Sequence, residues 1–186
     1  MNHNDPFDNK MKQMKVGFGN LPNAKKIVYV ALLSSLAALF QSAGGFLPGV
    51  GYFISPLSTA PIIVCAIFSI RFGFFAYVLT ALLLLILQPS ELIVFPFTTG
   101  LLGLAIGVSF HLLHKKLSII VSGGVGLAIG IYVLLYGFNF PVLGPTVSQT
   151  LSFSVVVCVF VFSIFYSWLW VGLSKILIKR FVKFIF

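Results

Sequence analysis

After its first 26 residues the chain alternates between long apolar stretches and short breaks rich in glycine, proline or polar residues. Six such stretches follow one another: 27–47, 52–70, one from Phe72 or Phe74 to about Leu87, then about 92–113, 117–138 and about 151–173. A helix that crosses a bilayer needs about 20 predominantly apolar residues, and lipid tolerates only helices or closed barrels as spanning structures. The pattern therefore predicts an all-α, polytopic membrane protein with six transmembrane helices in one bundle. Gly44, Gly45, Pro48 and Gly49 release the first helix, and Arg71 with Gly73 forms a tight reversal after the second. Gln88-Pro89-Ser90-Glu91 makes the next turn, with Ser90 placed to cap the fourth helix. His114-Lys115-Lys116 closes that helix, and Asn139 to Thr150 is an uncharged loop containing Pro141, Gly144 and Pro145.

Composition sharpens this class. Hydrophobic residues fill 59% of the 186 positions and charged residues 8%, where soluble domains carry about 25% charged residues. The expected organisation is a polar cytoplasmic N-terminal tail over 1–26, a membrane domain over 27–174 and a basic cytoplasmic end over 175–186. No signal peptide is expected, because the first apolar run is long enough to remain a helix and lacks a cleavage-type ending. Gly17, Gly19 and Pro22 argue against a continuous helix through the tail, whose lysines are expected to rest against anionic lipid headgroups. Cys65 and Cys158 lie inside apolar runs without a second ligand at metal spacing, so both read as small buried hydrophobes.

A formal charge of +9 would point to nucleic acid in a soluble chain. Here it sets topology, and no nucleic-acid partner is expected. Five basic residues lie in the tail, one in the turn after the second helix, two after the fourth and four at the C-terminus. The other three loops hold none, so the positive-inside rule places both termini in the cytoplasm of a plasma (inner) membrane. Trp168 and Trp170 suit an interfacial aromatic belt near the inner end of the sixth helix.

On this topology Pro48, Pro56, Pro61, Pro89, Pro96, Pro141 and Pro145 all fall in the outer half or beyond it. Irregular backbone at membrane depth is tolerated where protein buries it or where it lines a cavity. A cavity is therefore expected in the outer half, above a rigid inner base. Polar residues gather at the same level, and Gln41, Tyr52, Ser58, Glu91, Thr98, Thr99, Tyr136, Asn139 and Gln149 are the candidate contacts for a small solute. Glu91 is the only acid outside the tail; a carboxylate there is a default functional candidate, though at a helix start it also complements the helix dipole. Small residues form stripes: Ala31, Ser35, Ala38 and Ser42 on the first helix, Thr99, Gly103 and Gly107 on the fourth, Gly126 and Gly130 on the fifth. Such faces allow close helix packing inside the bundle, or docking of a partner if they face outward.

The six-helix layout, the small-residue first helix and the tight inner turn resemble the substrate-binding S-components of energy-coupling factor (ECF) vitamin transporters. The run Pro61 to Gly73, closed by Arg71-Phe72-Gly73, and the run Phe97-Thr-Thr-Gly-Leu-Leu-Gly-Leu-Ala-Ile-Gly also resemble uncharacterised YybS-like bacterial membrane proteins related to that fold. The likeness covers roughly 27–175 and rests mostly on apolar residues and glycines. It implies binding and uptake of a small solute, a vitamin or related micronutrient, together with a separate coupling membrane subunit and ATPases. It further implies a solute site among the outer groups of helices four to six and a docking face at Ala31, Ser35 and Ala38. Arg71 reads as a topology anchor, with a second role available at a coupling interface. No single vitamin's binding signature is matched.

Other classes find less support. His111 and His114 lack an acidic partner and sit beside Lys115 and Lys116, as at a solvated helix terminus, so an enzyme is not expected. No Gly-x-x-x-x-Gly-Lys run supplies a nucleotide site, and no cofactor or metal site is expected. The main alternative is a non-transporting membrane scaffold or assembly factor that holds partners through its small-residue faces.

Overall fold

The computed structural model describes residues 6–47, 49–113, 115–140 and 153–185. Pro48, His114, Pro141, Pro145 and Gln149 lie outside the described residues. Six helices are long and apolar enough to cross a membrane, over Asn23–Phe46, Gly51–Phe68, Ile70–Leu87, Pro89–Leu112, Lys116–Gly137 and Phe153–Ile178. The chain is a multi-pass, all-α membrane protein whose spans pack in one bundle.

A further helix precedes the spans. The tail forms α1 (Pro6–Gly19), which stops at Gly19, one short turn before α2 (Asn23–Phe46). Gly17 is accommodated within α1, while Gly19 and Pro22 mark its end, so no helix runs continuously through the tail, as expected. A glycine costs about 1 kcal/mol in a helix, whereas burying Met14 and Phe18 against the bundle contributes about 1.5–3 kcal/mol each. Phe18 stacks on Phe68 at 4.4 Å between ring centroids and meets Phe72 edge-on at 5.3 Å. At the end of α1 the Lys26 ammonium donates to the Gly19 carbonyl at 2.8 Å, filling an acceptor left open by helix termination.

The second span is a stack of three short helices: α3 (Gly51–Ile54), a 3-10 turn at Ser55–Ser58, and α4 (Thr59–Phe68). Pro56 and Pro61 fall in first turns, where a missing N–H breaks no helical hydrogen bond. From Pro61 to Phe68 every residue of α4 is buried. A helix that is apolar all round belongs inside a bundle, and α4 is the centre around which α1, α2, α5, α7 and α9 pack. Extended backbone at Ser69 (φ −163°, ψ 141°) ends it and starts α5 (Ile70–Leu87).

The fourth span repeats the device, with α6 (Pro89–Val94), a 3-10 turn at Phe95–Phe97 and α7 (Thr99–Leu112). Here Gln88 occupies the N-cap position and Pro89 the first helical position. Ser90 accepts a hydrogen bond from the Gln88 side chain at 3.1 Å and caps nothing, which corrects the expected cap. The fifth span is α8 (Lys116–Tyr132) followed by a π-turn over Val133–Gly137, and the sixth lies within α9 (Phe153–Ile185).

Close helix approach depends on the glycines of α7. A methyl group at Gly103 would stand 2.9 Å from Ile62 Cβ and 3.0 Å from the Thr59 carbonyl, and Gly107 lies directly on Ala66. The Thr99-Gly103-Gly107 stripe is therefore internal packing against α4. On α2 the buried face runs through Val30, Ser34, Ala37 and Gln41, one residue round from Ala31 and Ser35. Two local expectations change. Cys65 is buried, but Cys158 is exposed on the bundle surface. Trp168 faces outward, whereas Trp170 is buried edge-on to Tyr166 at 6.4 Å.

Candidate functional site

The irregular parts of the second and fourth spans deliver polar side chains to one glutamine. Gln41 lies on the inward face of α2, near the end of the bundle opposite Arg71, Lys115 and Lys116, and is 1% exposed. Ser58 closes the 3-10 turn of the second span, Thr99 opens α7, and Glu91 lies in the first turn of α6. The Ser58 hydroxyl donates to Gln41 Oε1 at 2.8 Å and the Thr99 hydroxyl to the same oxygen at 2.7 Å. Gln41 Nε2 donates to Glu91 Oε2 at 2.7 Å. The carboxylate can only accept, which fixes the amide nitrogen towards Glu91 and leaves the amide oxygen, with its two lone pairs, for the hydroxyls.

Glycine makes the carboxylate's position available. A Cβ at Gly44 would stand 2.8 Å from Glu91 Oε1, so the carboxylate packs directly against the bare backbone of α2. Glu91 is half-buried, and Oε1 has no hydrogen-bond partner among the described residues. The result is a half-buried carboxylate oriented through Oε2, with Oε1 against Gly44, at the end of a transmembrane span. Glu91 keeps its place in the first turn of α6, where a carboxylate complements the helix dipole, and accepts from Gln41 as well.

Of the nine predicted solute contacts, Gln41, Ser58, Glu91 and Thr99 meet in this cluster. Tyr52 does not join it, being 72% exposed on α3. Thr98 turns its hydroxyl back onto the Val94 carbonyl at 2.8 Å. Tyr136 and Asn139 lie at the end of the fifth span, where the Tyr136 hydroxyl is buried without a partner among the described residues and Asn139 adopts a left-handed φ of 50°. Gln149 lies outside the described residues. The expected outer cavity is not what these groups build at Ser58–Pro61, because protein buries that irregular backbone. Thr59, next to Ser58, carries a further buried hydroxyl without a partner among the described residues. Its only sequence signal is a second hydroxyl residue just before an apolar run.

The predicted docking residues separate. Ala38 is fully buried inside the bundle and so is not available to a partner, because α2 turns this part of its stripe inward. Ala31 is half-buried, and Ser35 is exposed with its hydroxyl bonded to the Ala31 carbonyl at 2.9 Å. Arg71 is exposed at the start of α5. His111 corrects another expectation. Its Nε2 lies 2.8 Å from the Ala66 carbonyl, an acceptor freed where α4 ends, so it ties α7 to α4 and is no solvated terminus. In comparisons with family models, characterised proteins and solved structures, nothing matches this chain.

Proposed function

We propose that the chain is a solute-binding membrane protein, similar in role to an ECF S-component, that takes up a small solute and passes it to a separate coupling subunit with its ATPases. The single observation that carries this reading is Glu91: Gln41 fixes one carboxylate oxygen, and the other, packed against Gly44, has no hydrogen-bond partner among the described residues and can accept from a donor on a solute. Ionisable residues at membrane depth are costly and mark substrate pathways. A solute bearing an ammonium or other N–H donor suits the unpartnered oxygen.

The same proposal includes location. With Lys115, Lys116 and Arg71 at one end and Glu91 at the other, the positive-inside rule puts the basic end and both termini in the cytoplasm of the plasma membrane, and the Glu91 end outside. In a Cys158→Ser background, Ser90→Cys then reacts with an impermeant thiol reagent in intact cells and Lys116→Cys does not. The reverse labelling would overturn the orientation.

Native mass spectrometry of the detergent-purified protein tests solute binding. A retained small molecule, lost on Glu91→Gln while the protein stays folded, is the expected result. No retained molecule, and no thermal stabilisation by any cationic micronutrient, would refute it. A second reading, a non-transporting scaffold, draws on the three hydrogen bonds by which the Gln41 amide braces three spans. Under that reading Glu91→Gln changes stability without changing any bound solute, and the protein copurifies with cell-envelope components in place of an ATPase.

A further inference from the structure

We propose that the groove between α7 and α8 at the basic end is a binding site for an anionic phospholipid, with an acyl chain in the groove and the phosphate at Lys115 and Lys116. The groove encloses about 430 Å³ and opens to the side of the bundle. Leu104, Val108 and Leu112 of α7 line it together with the smaller Ala105, Ser109 and Ser122. Small residues create the furrow. Ser109 donates to Ser122 Oγ at 2.9 Å, and a methyl at Gly126 would stand 3.3 Å from Ala105 Cβ, so the two helix backbones run close beneath larger flanking side chains.

Length and charge together identify the occupant. The lining begins at Leu101 and ends at Leu113, a rise of about 18 Å along a helix, against about 15 Å for one leaflet of a hydrocarbon core about 30 Å thick. The groove thus runs the depth of a single leaflet, as one acyl chain does. Both lysines are exposed just past its end, at headgroup level. The sole acid of the membrane domain, Glu91, lies at the opposite end of the same span. A phosphate carrying net negative charge matches two ammonium groups, and a zwitterionic headgroup matches them less well. A second copy of the chain would offer its own apolar surface to the furrow but would leave both ammonium groups without an anion.

Native mass spectrometry with phosphatidylglycerol and phosphatidylcholine of identical chains, added together to the full-length protein in mild detergent, tests the assignment. The phosphatidylglycerol adduct is expected to dominate, with a selectivity of about fivefold per lysine. Lys115→Gln with Lys116→Gln, both on the exposed surface, should bring the two adducts to parity. Ala105→Phe should fill the groove and remove both adducts while keeping the lysines; should that variant fail to fold, the lysine pair alone decides. Equal adducts on the unmodified protein, or a preference that survives loss of both lysines, would overturn the proposal. A dimer peak that Ala105→Phe abolishes, without any lipid preference, would assign the groove to a second copy instead.

Discussion

Replacing Gln41 by leucine keeps the side-chain volume nearly constant and deletes all three hydrogen bonds that join the first, second and fourth spans. Between membrane helices such bonds average about 0.6 kcal/mol by double-mutant cycles, and the one to a charged acceptor is roughly twice as strong. The sum is about 2–2.5 kcal/mol. Part of it returns if Ser58 and Thr99 rebond to carbonyls on their own helices, and part is added because Glu91 loses the one partner that Oε2 has. For a chain of this size each kcal/mol moves the melting temperature by about 2–4 °C. Gln41→Leu should therefore lower the melting temperature in detergent by about 5–10 °C. The double variant with Glu91→Gln should be less destabilised than the two single changes added together, since both remove the same bond. A shift of under about 1 °C, or strict additivity of the two changes, would show that the cluster does not hold the spans together.

Other substitutions probe other parts of the argument. Gly107→Leu drives a side chain into Ala66 at the centre of the bundle, and overpacking of this kind costs about 1–3 kcal/mol or more; an unchanged melting temperature would refute the tight α4–α7 contact. His111→Leu leaves the Ala66 carbonyl without its acceptor role filled, a loss of about 1–3 kcal/mol, while Ser35→Ala, whose exposed hydroxyl bonds only within α2, should be nearly silent in the same thermal assay. Phe18→Ala removes the stacked contact on Phe68, so hydrogen exchange over 6–19 should rise while that of α4 stays protected. Equal exchange in both proteins would mean that α1 does not depend on this docking.

Hydrophobic pattern alone located the six spans to within a few residues, since membrane insertion is decided by local composition over about 20 residues. The same pattern placed the irregular backbone, because proline signals a break wherever it occurs, and Pro56, Pro61, Pro89 and Pro96 all lie in short or first helical turns. Which polar groups meet was legible only in part. Gln41, Ser58, Glu91 and Thr99 were recognisable as polar residues at one depth, but depth does not fix the rotation of a helix about its axis, and that rotation separates them from Tyr52 and Thr98. Rotation also decided the small-residue stripe, buried at Ala38 and open at Ser35. The tail helix was hidden for a different reason. Its glycines weaken a local preference that docking on Phe68 and Phe72 then overrides, and docking is a tertiary event with no local signature.

Breaking a span into short helices frees carbonyls inside hydrocarbon, where each unsatisfied group costs several kcal/mol. The chain meets this with side chains sent across from neighbouring helices. Tyr77 donates to the Pro96 carbonyl at 3.0 Å, in the 3-10 turn of the fourth span, and His111 serves the Ala66 carbonyl near the end of α4. Each donor therefore belongs to a helix other than the one it repairs, so the irregular spans cannot form independently of their neighbours. The Gln41 cluster follows the same logic with polar side chains in place of carbonyls. Three spans contribute, and only when all three are in register do Ser58, Thr99 and Glu91 reach the Gln41 amide. Glu91 Oε1, the atom beside Gly44, and the buried Thr59 hydroxyl have no partner among the described residues. A brace alone has no use for a carboxylate with one oxygen left over, and that is the physical argument for testing the cluster as a site as well as a brace.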